Sequence, residues 1–344
     1  MTSGQTKRGA TGSRAGDQLT RYLDAIRNLT LRIYRQPFFG TNGKPFPLAV
    51  DFQKAIRRGK PQIMLFGDSV SFRVANQDSD RRTLGQMVTD ALAPRSVHVT
   101  SFSAYTAYMY GVFLGLARKM DAHPDWVILP FNLRCVSPQW DASPIWQYVQ
   151  ENSAIQRLMN DPDATPNAIA PVFLDEKAYN SVALYSPLSE QRTVGYFRKQ
   201  IRFKPTDPEA VRKRLAEILV LHYGMPVREE HRQFHYLVSA IREASAMGAK
   251  VLVYLTPINV EFMRKIWGDV LTDIVDGNRG LVRQAIEQAG MMDHVVYEDW
   301  SGSLPSDEFF HPEETTEHLA EAGRLRLTFM ITDRMAKAEA DAAI

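Results

Sequence analysis

Cysteine is nearly absent from this chain. Cys135 is the single one in 344 residues, so no intrachain disulfide can form and cysteine usage gives no sign of an oxidising compartment. Charge of one sign is not in excess either. The formal net charge is +2, too small for a field that would gather nucleic acid or an anionic membrane surface. No apolar run is long enough to span a bilayer. The basic amino-terminal stretch MTSGQTKRGATGSRAG lacks the apolar segment of a secretory signal, so a cytoplasmic location is expected. There is no internal repeat and no GxSxG elbow.

What remains is ordinary globular composition, 44% hydrophobic and 23% charged, enough to bury a large core in one sizeable domain. Residues 1–16 are small, polar and glycine-rich and are expected as a disordered basic tail. From Asp17, a possible cap, Leu19, Tyr22, Leu23, Ile26, Leu29 and Ile33 recur at helical spacing; 17–60 is expected as a helix and a linker.

From Pro61 the pattern alternates. QIMLF, SVHVTSF and DWVILPF read as buried strands, separated by the helical stretches RRTLGQMVTDALA and TAYMYGVFLGLARKMDA. Late in the chain a helix, the strand AKVLVYLTP, a partly helical stretch, the strand HVVYEDW and a closing helix follow. Strands alternating with helices argue for βαβ units and a parallel sheet. The domain is expected over 61–335, ahead of a tail at 336–344. Between its halves, about 135–224 is rich in proline and aromatics and reads as a helical and irregular insertion. Such an insertion is placed to cap a site at the carboxyl ends of the strands, where open α/β sheets bind ligands.

The first strand stops at Gly67-Asp68-Ser69. Taken alone, Asp68 and Ser69 need only start a turn or cap a helix. Two other places give the tripeptide a context. The third strand ends PFNLR, which puts Asn132 at a neighbouring carboxyl end. His318, in HLAEAG, stands at the start of the last helix. Serine, asparagine and histidine in this order and at these places resemble the SGNH, or GDSL-type, hydrolase superfamily, over roughly 61–134 and 251–334. The resemblance implies a flavodoxin-like three-layer α/β/α fold with a central parallel sheet. Here that sheet would carry the insertion and an extra N-terminal helix.

The resemblance also implies roles. Ser69 would be the nucleophile and its N–H an oxyanion donor, the Asn132 amide a second donor, and His318 the general base. Asp68 would brace the turn. The family's third oxyanion donor follows the second strand on a glycine; the matching residue here is Ser103, in SFSAYTAY. The family's acid lies three residues before the histidine, where this chain has Thr315. Glu314 is one position further away, and some family members use a backbone carbonyl instead. His311 is a rival base, with Glu308 three residues ahead, but it lacks the glycine that stands five residues after His318.

Arg134 lies two residues after Asn132 and admits two readings: it holds a carboxylate or phosphate of the substrate, or it pairs with an acid and fixes the insertion. If the third strand runs on through Arg134, its period of two puts 132 and 134 on one face. Arg73, one turn past Ser69, is a second candidate for the substrate-binding role. Trp140 and Trp146 line an acyl pocket or simply pack the insertion. Cys135 reads as a buried thiol. His231 and His235 have an i, i+4 spacing that suits a metal, but no third ligand is near, and no metal or cofactor is expected.

The expected function is a serine-dependent esterase or acyl hydrolase. It would work through an acyl-serine intermediate on a small acyl ester, one that carries an anion if Arg134 serves it. The same site would also support O-acyl transfer to another alcohol, and a non-catalytic SGNH-like binding or scaffold protein is the rival class. No sequence feature specifies oligomeric state.

Overall fold

A computed structural model of the chain describes residues 48–59, 61–141, 176–313 and 317–342. All of them belong to one compact unit, Lys44–Ile344. The helix expected near the N-terminus, Trp146 and the Glu314–Thr315 pair lie outside the described residues.

Five parallel strands form the central sheet: β1 (Ile63–Gly67), β2 (Val97–Ser101), β3 (Trp126–Phe131), β6 (Lys250–Leu255) and β7 (Val295–Asp299). They lie in the order β2-β1-β3-β6-β7 and every neighbouring pair is parallel. This is the flavodoxin-like doubly wound order, in which the chain reverses direction of growth between β1 and β3. Crossover helices cover both faces of such a sheet, so its central strands are apolar throughout. β1 and β3 are buried at every residue, while the edge strands β2 and β7 are mostly half-buried.

The two faces can be followed residue by residue. Met64 and Phe66 of β1, Val127, Leu129 and Phe131 of β3, and Val251, Val253 and Leu255 of β6 point to one core. That core is closed by α1 (Leu48–Gly59), α3 (Ala107–Lys119), α8 (Arg232–Ala246) and α10 (Asp269–Gln288). The alternate residues Ile63, Leu65, Trp126, Ile128, Leu252 and Tyr254 point to the other core, closed by α2 (Leu84–Ala91) and α11 (Glu321–Asp341). The result is a three-layer α/β/α fold.

Helix α1 falls within the stretch expected as helix and linker. Ala49, Phe52 and Ile56 share one face and are buried. The Phe52 ring lies 5.1 Å from that of Phe113 and 6.3 Å from that of Phe66, so α1 is part of the sheet's core. Helix α2 starts at a capping box, with Thr83 accepting from Gln86 N and the Gln86 side chain accepting from Thr83 N.

The described part of the segment between β3 and α8 holds α4 (Pro138–Asp141), α5 (Glu176–Ser181), α6 (Val194–Arg202) and α7 (Pro208–Tyr223). It also carries the antiparallel hairpin β4–β5 (Ala183–Ser186 and Ser189–Thr193). Asp207 and Pro208 start α7 as cap and first-turn proline. Tyr179, Leu184, Val194, Phe197, Val220, Leu221 and Met225 form a smaller core of their own. Helix α9 (Val260–Trp267) precedes α10.

Candidate active site

The switch point of the sheet is where the candidate residues gather. A Cβ on Gly67 would fall 1.9 Å from Ser71 Oγ, so only glycine lets the chain turn this tightly at the end of β1. Asp68 Oδ1 then accepts from Val70 N at 2.8 Å and caps a single 3₁₀ turn, Ser69–Ser71. That turn sets Ser69 at the carboxyl end of the strand. β3 stops at Phe131, and Asn132 Oδ1 accepts from Arg134 N at 3.0 Å to start a second 3₁₀ turn, Leu133–Val136. The strand therefore ends before Arg134, and the period of two does not govern residues 132 and 134.

His318 comes from the other end of the chain. It sits on an extended segment three residues before α11. Phe310 N donates to His318 O at 2.8 Å, Ala320 N to Glu308 O at 2.9 Å, and Phe309 and Leu319 form an antiparallel bridge. Two further ties bind this segment to the loop after Ser69. Glu321 Oε2 accepts from Ser79 N, Ser79 Oγ and Asp80 N at 2.7–2.9 Å. Arg324, fully buried, pairs with Asp78 at 2.6 Å and donates to the carbonyls of Asp80, Arg82 and Leu319.

Gly323 closes the packing: a Cβ there would lie 2.4 Å from the Glu308 carbonyl oxygen, a backbone atom that cannot swing aside. Gly323→Ala is expected to destabilise the fold by about 1–3 kcal/mol. The shift would be read as a lower urea midpoint with an unchanged slope. An unchanged midpoint would show that the Glu308 segment yields freely.

With both segments in place, His318 Nε2 lies 2.9 Å from Ser69 Oγ. His311, the rival base, is exposed. Of the two expected acids, Glu308 is not on the imidazole: it pairs with Arg326 on α11. Glu314 lies outside the described residues. The group 3.5 Å from His318 Nδ1 is the Arg73 guanidinium, through Nη1.

Arg134 has its anion within the protein. Its Nη1 lies 3.0 Å from each oxygen of Glu317, and its guanidinium carbon stands 4.8 Å from the Trp140 ring centroid. The argument that Arg134 needs a substrate anion thus loses its premise, because the reading that paired it with an acid is the one the contacts display. Trp140 stacks on that arginine. Glu317, only 3% exposed, was not anticipated. It also accepts from Asn132 Nδ2 at 3.3 Å and from Tyr223 OH of α7 at 3.4 Å. Asn132 Nδ2 donates at 2.8 Å to Asp68 Oδ2 as well, so its amide bridges two carboxylates. Ser103 is a half-buried turn residue after β2, and the left-handed residue in that turn is Ala104, with φ 60°, not Ser103.

Charge in this cluster is set by burial and close partners. Burial, with the Glu317 carboxylate, pushes Asp68 up to about 6 against the hydrogen bonds it accepts from Asn132 and Val70. Burial works the same way on Glu317, but Arg134, His318 and His222 overcome it and hold the carboxyl down at about 2. Burial lowers His318 to about 4; Glu317 opposes the shift, while Arg73, Arg134 and His311 add to it. The imidazole is therefore neutral at pH 7, the charge state a base needs.

Elsewhere, Cys135 is buried and its thiol is pushed well up by that burial. His231 caps α8 by accepting from Gln233 N and lies 3.8 Å from Asp141. Among the described residues, no group of three or more His, Cys, Asp or Glu side chains is placed to hold a metal ion. No helix of the described residues is long and apolar enough to cross a membrane.

No family model matches the sequence, and no curated protein matches it. Similar solved structures include two mutants of Axe2, an acetyl-xylooligosaccharide esterase from Geobacillus Stearmophilus. Each has a TM-score of 0.37 and 12% or 13% identity, over 79% of this chain and 92% of theirs. A carbohydrate acetylesterase family member from Sinorhizobium meliloti has a TM-score of 0.32 and 14% identity, over 80% of this chain and 98% of its own. Likeness at that level says nothing about this chain's chemistry.

Proposed function

We propose that the chain is a serine-dependent esterase of the SGNH type, hydrolysing a small acyl ester through an acyl-Ser69 intermediate. The 2.9 Å approach of His318 Nε2 to Ser69 Oγ, at the switch point of the sheet, supports this most strongly. In the acylation step Ser69 Oγ attacks the ester carbonyl and its proton passes to His318 Nε2. The carbon–oxygen bond to the leaving alcohol then breaks, and that proton goes to the departing oxygen. Water, deprotonated by the same nitrogen, then attacks the acyl carbon; the bond to Ser69 Oγ breaks, that oxygen takes the proton back from His318 Nε2, and the acid leaves. Another alcohol in its place would make the reaction an acyl transfer. The Ser69 and Ser103 N–H groups would receive the oxyanion. Asn132 would join them only by giving up one of its two carboxylate contacts.

The test is covalent. A fluorophosphonate probe is expected to add once, at Ser69, as located by peptide mass; intact, folded protein that stays unlabelled would discard the nucleophile. The guanidinium beside Nδ1 favours a second reading, a binding protein on an SGNH-like scaffold, and the same silence would favour it.

The neutral imidazole also sets a pH profile. His318 loses its basic form only as pH falls to about 4, so kcat/KM is expected to hold at pH 5, below the range where an ordinary histidine has already protonated. An acid limb centred near 6.5 would show that the imidazole is not held as described.

A further inference from the structure

Arginine is a hydrogen-bond donor at every accessible pH. If Arg73 Nη1 bonds to His318 Nδ1, as their 3.5 Å separation allows, Nδ1 is the acceptor. A neutral imidazole with a bare Nδ1 carries its proton on Nε2. That nitrogen, 2.9 Å from Ser69 Oγ, then donates to the hydroxyl instead of accepting from it. A base in this tautomer cannot take the serine proton. Among the described residues, the other charged groups around the ring do not reverse the assignment. Glu317 is turned to Arg134, Asn132 and Tyr223, Asp68 to Asn132 and Val70. His311 is exposed, and no carboxylate among the described residues is hydrogen-bonded to the ring.

We propose that Arg73 is a positioning residue that holds His318 in the Nε2–H tautomer, and that an anionic group on the substrate activates the site by drawing the guanidinium off Nδ1. The imidazole then releases the Nε2 proton to solvent and takes one at Nδ1, with no change in net charge. Nε2 becomes the acceptor that acylation requires. The substrate class that does this is an acyl ester bearing a carboxylate or phosphate near the scissile group, because either oxyanion accepts two guanidinium N–H bonds at once. The kinetic part of this inference rests on the esterase reading; the tautomer part does not.

Nitrogen NMR of histidine-labelled protein at pH 7 reads the tautomer directly, with the His318 signals assigned by their loss in His318→Gln. The wild type is expected to show a protonated Nε2 and a bare Nδ1. Arg73→Gln replaces the guanidinium by an amide whose oxygen can accept from Nδ1–H, so the Nδ1–H fraction should rise; Arg73→Lys, still a donor, should keep the wild-type pattern. A wild type that already carries Nδ1–H, or an Arg73→Gln variant with an unchanged pattern, would overturn the assignment. Turnover supplies the second arm. Arg73→Gln is expected to hydrolyse p-nitrophenyl acetate several-fold faster than wild type and p-nitrophenyl hemisuccinate more slowly. A loss on both esters would discard the latching role and leave Arg73 as a support. A tautomer change in protein that the fluorophosphonate never labels would sink the esterase and keep the tautomer assignment.

Discussion

His318→Ala is expected to lower kcat for acyl-ester hydrolysis by on the order of 10³-fold or more, with little change in KM. The imidazole acts only while the serine proton is moving, so its removal should not weaken substrate binding. Ser69→Ala should lose at least as much, and the double variant should lose no more than the worse single one, because nucleophile and base act as one unit. Ser69→Ala should cost little stability, since Ser69 is half-buried on a turn already held by the Asp68 cap; His318 is buried, so the urea midpoint of His318→Ala is read beside its rate to show that the loss is not one of folding. His311→Ala, at an exposed position, is expected to stay within a few-fold of wild type. Losses that add in the double variant, or a larger loss at His311, would show that Ser69 and His318 do not work together.

The parts of this site that are legible in the sequence are those written locally. An apolar run halted by Gly67-Asp68-Ser69 marks a strand end because only a glycine fits against Ser71 there, and Asp68 is a capping residue doing what such residues do. β3 ends just before Asn132 for a related reason, since that side-chain oxygen starts the next turn. His318 is found by its place before a helix whose glycine packs on the Glu308 carbonyl. The rest is written in contacts between distant segments. Glu317 adjoins His318 in the chain, yet the third residue before the histidine is where the resemblance directs the search for an acid. Its partners Arg134 and Tyr223 stand 183 and 94 residues away. The only local signal was an acid beside the histidine. The strand period that would place Arg134 stops three residues short of it, so its partner cannot be foreseen from spacing. Helix α1 has the apolar positions of a packed helix, but what it packs on, Phe66 and Phe113, comes from two other elements.

Glu317→Ala is expected to destabilise the fold by about 3–5 kcal/mol at pH 7, because it strips the partner from a guanidinium that is itself mostly out of water. The loss should be largely recovered in Glu317→Ala/Arg134→Met, where neither charge is buried and the flexible side chain can still pack on Trp140. The pH dependence follows from the carboxyl's position. Its folded value of about 2 lies below the ordinary 4.5, so its contribution is complete above pH 4.5 and is lost as pH falls toward 2. A gap of that size corresponds to about 3 kcal/mol, in line with the cost of breaking the pair. His318 works in the same direction over a higher window: its folded value of about 4 lies below 6.5, so its share is complete above 6.5 and fades as pH drops through 4. Asp68 works the other way, since its carboxyl is raised to about 6 from 3.8; its share is complete below 3.8 and is lost as pH rises through 6. Urea unfolding of wild type and Glu317→Ala, followed from pH 7 down to pH 3, therefore reads the Glu317 share. The difference between the two proteins should stay near its full size down to about pH 4.5 and shrink below it. A difference that stays constant to pH 3, or one that is small already at pH 7, would show that the buried Glu317–Arg134 pair does not brace the floor of this site.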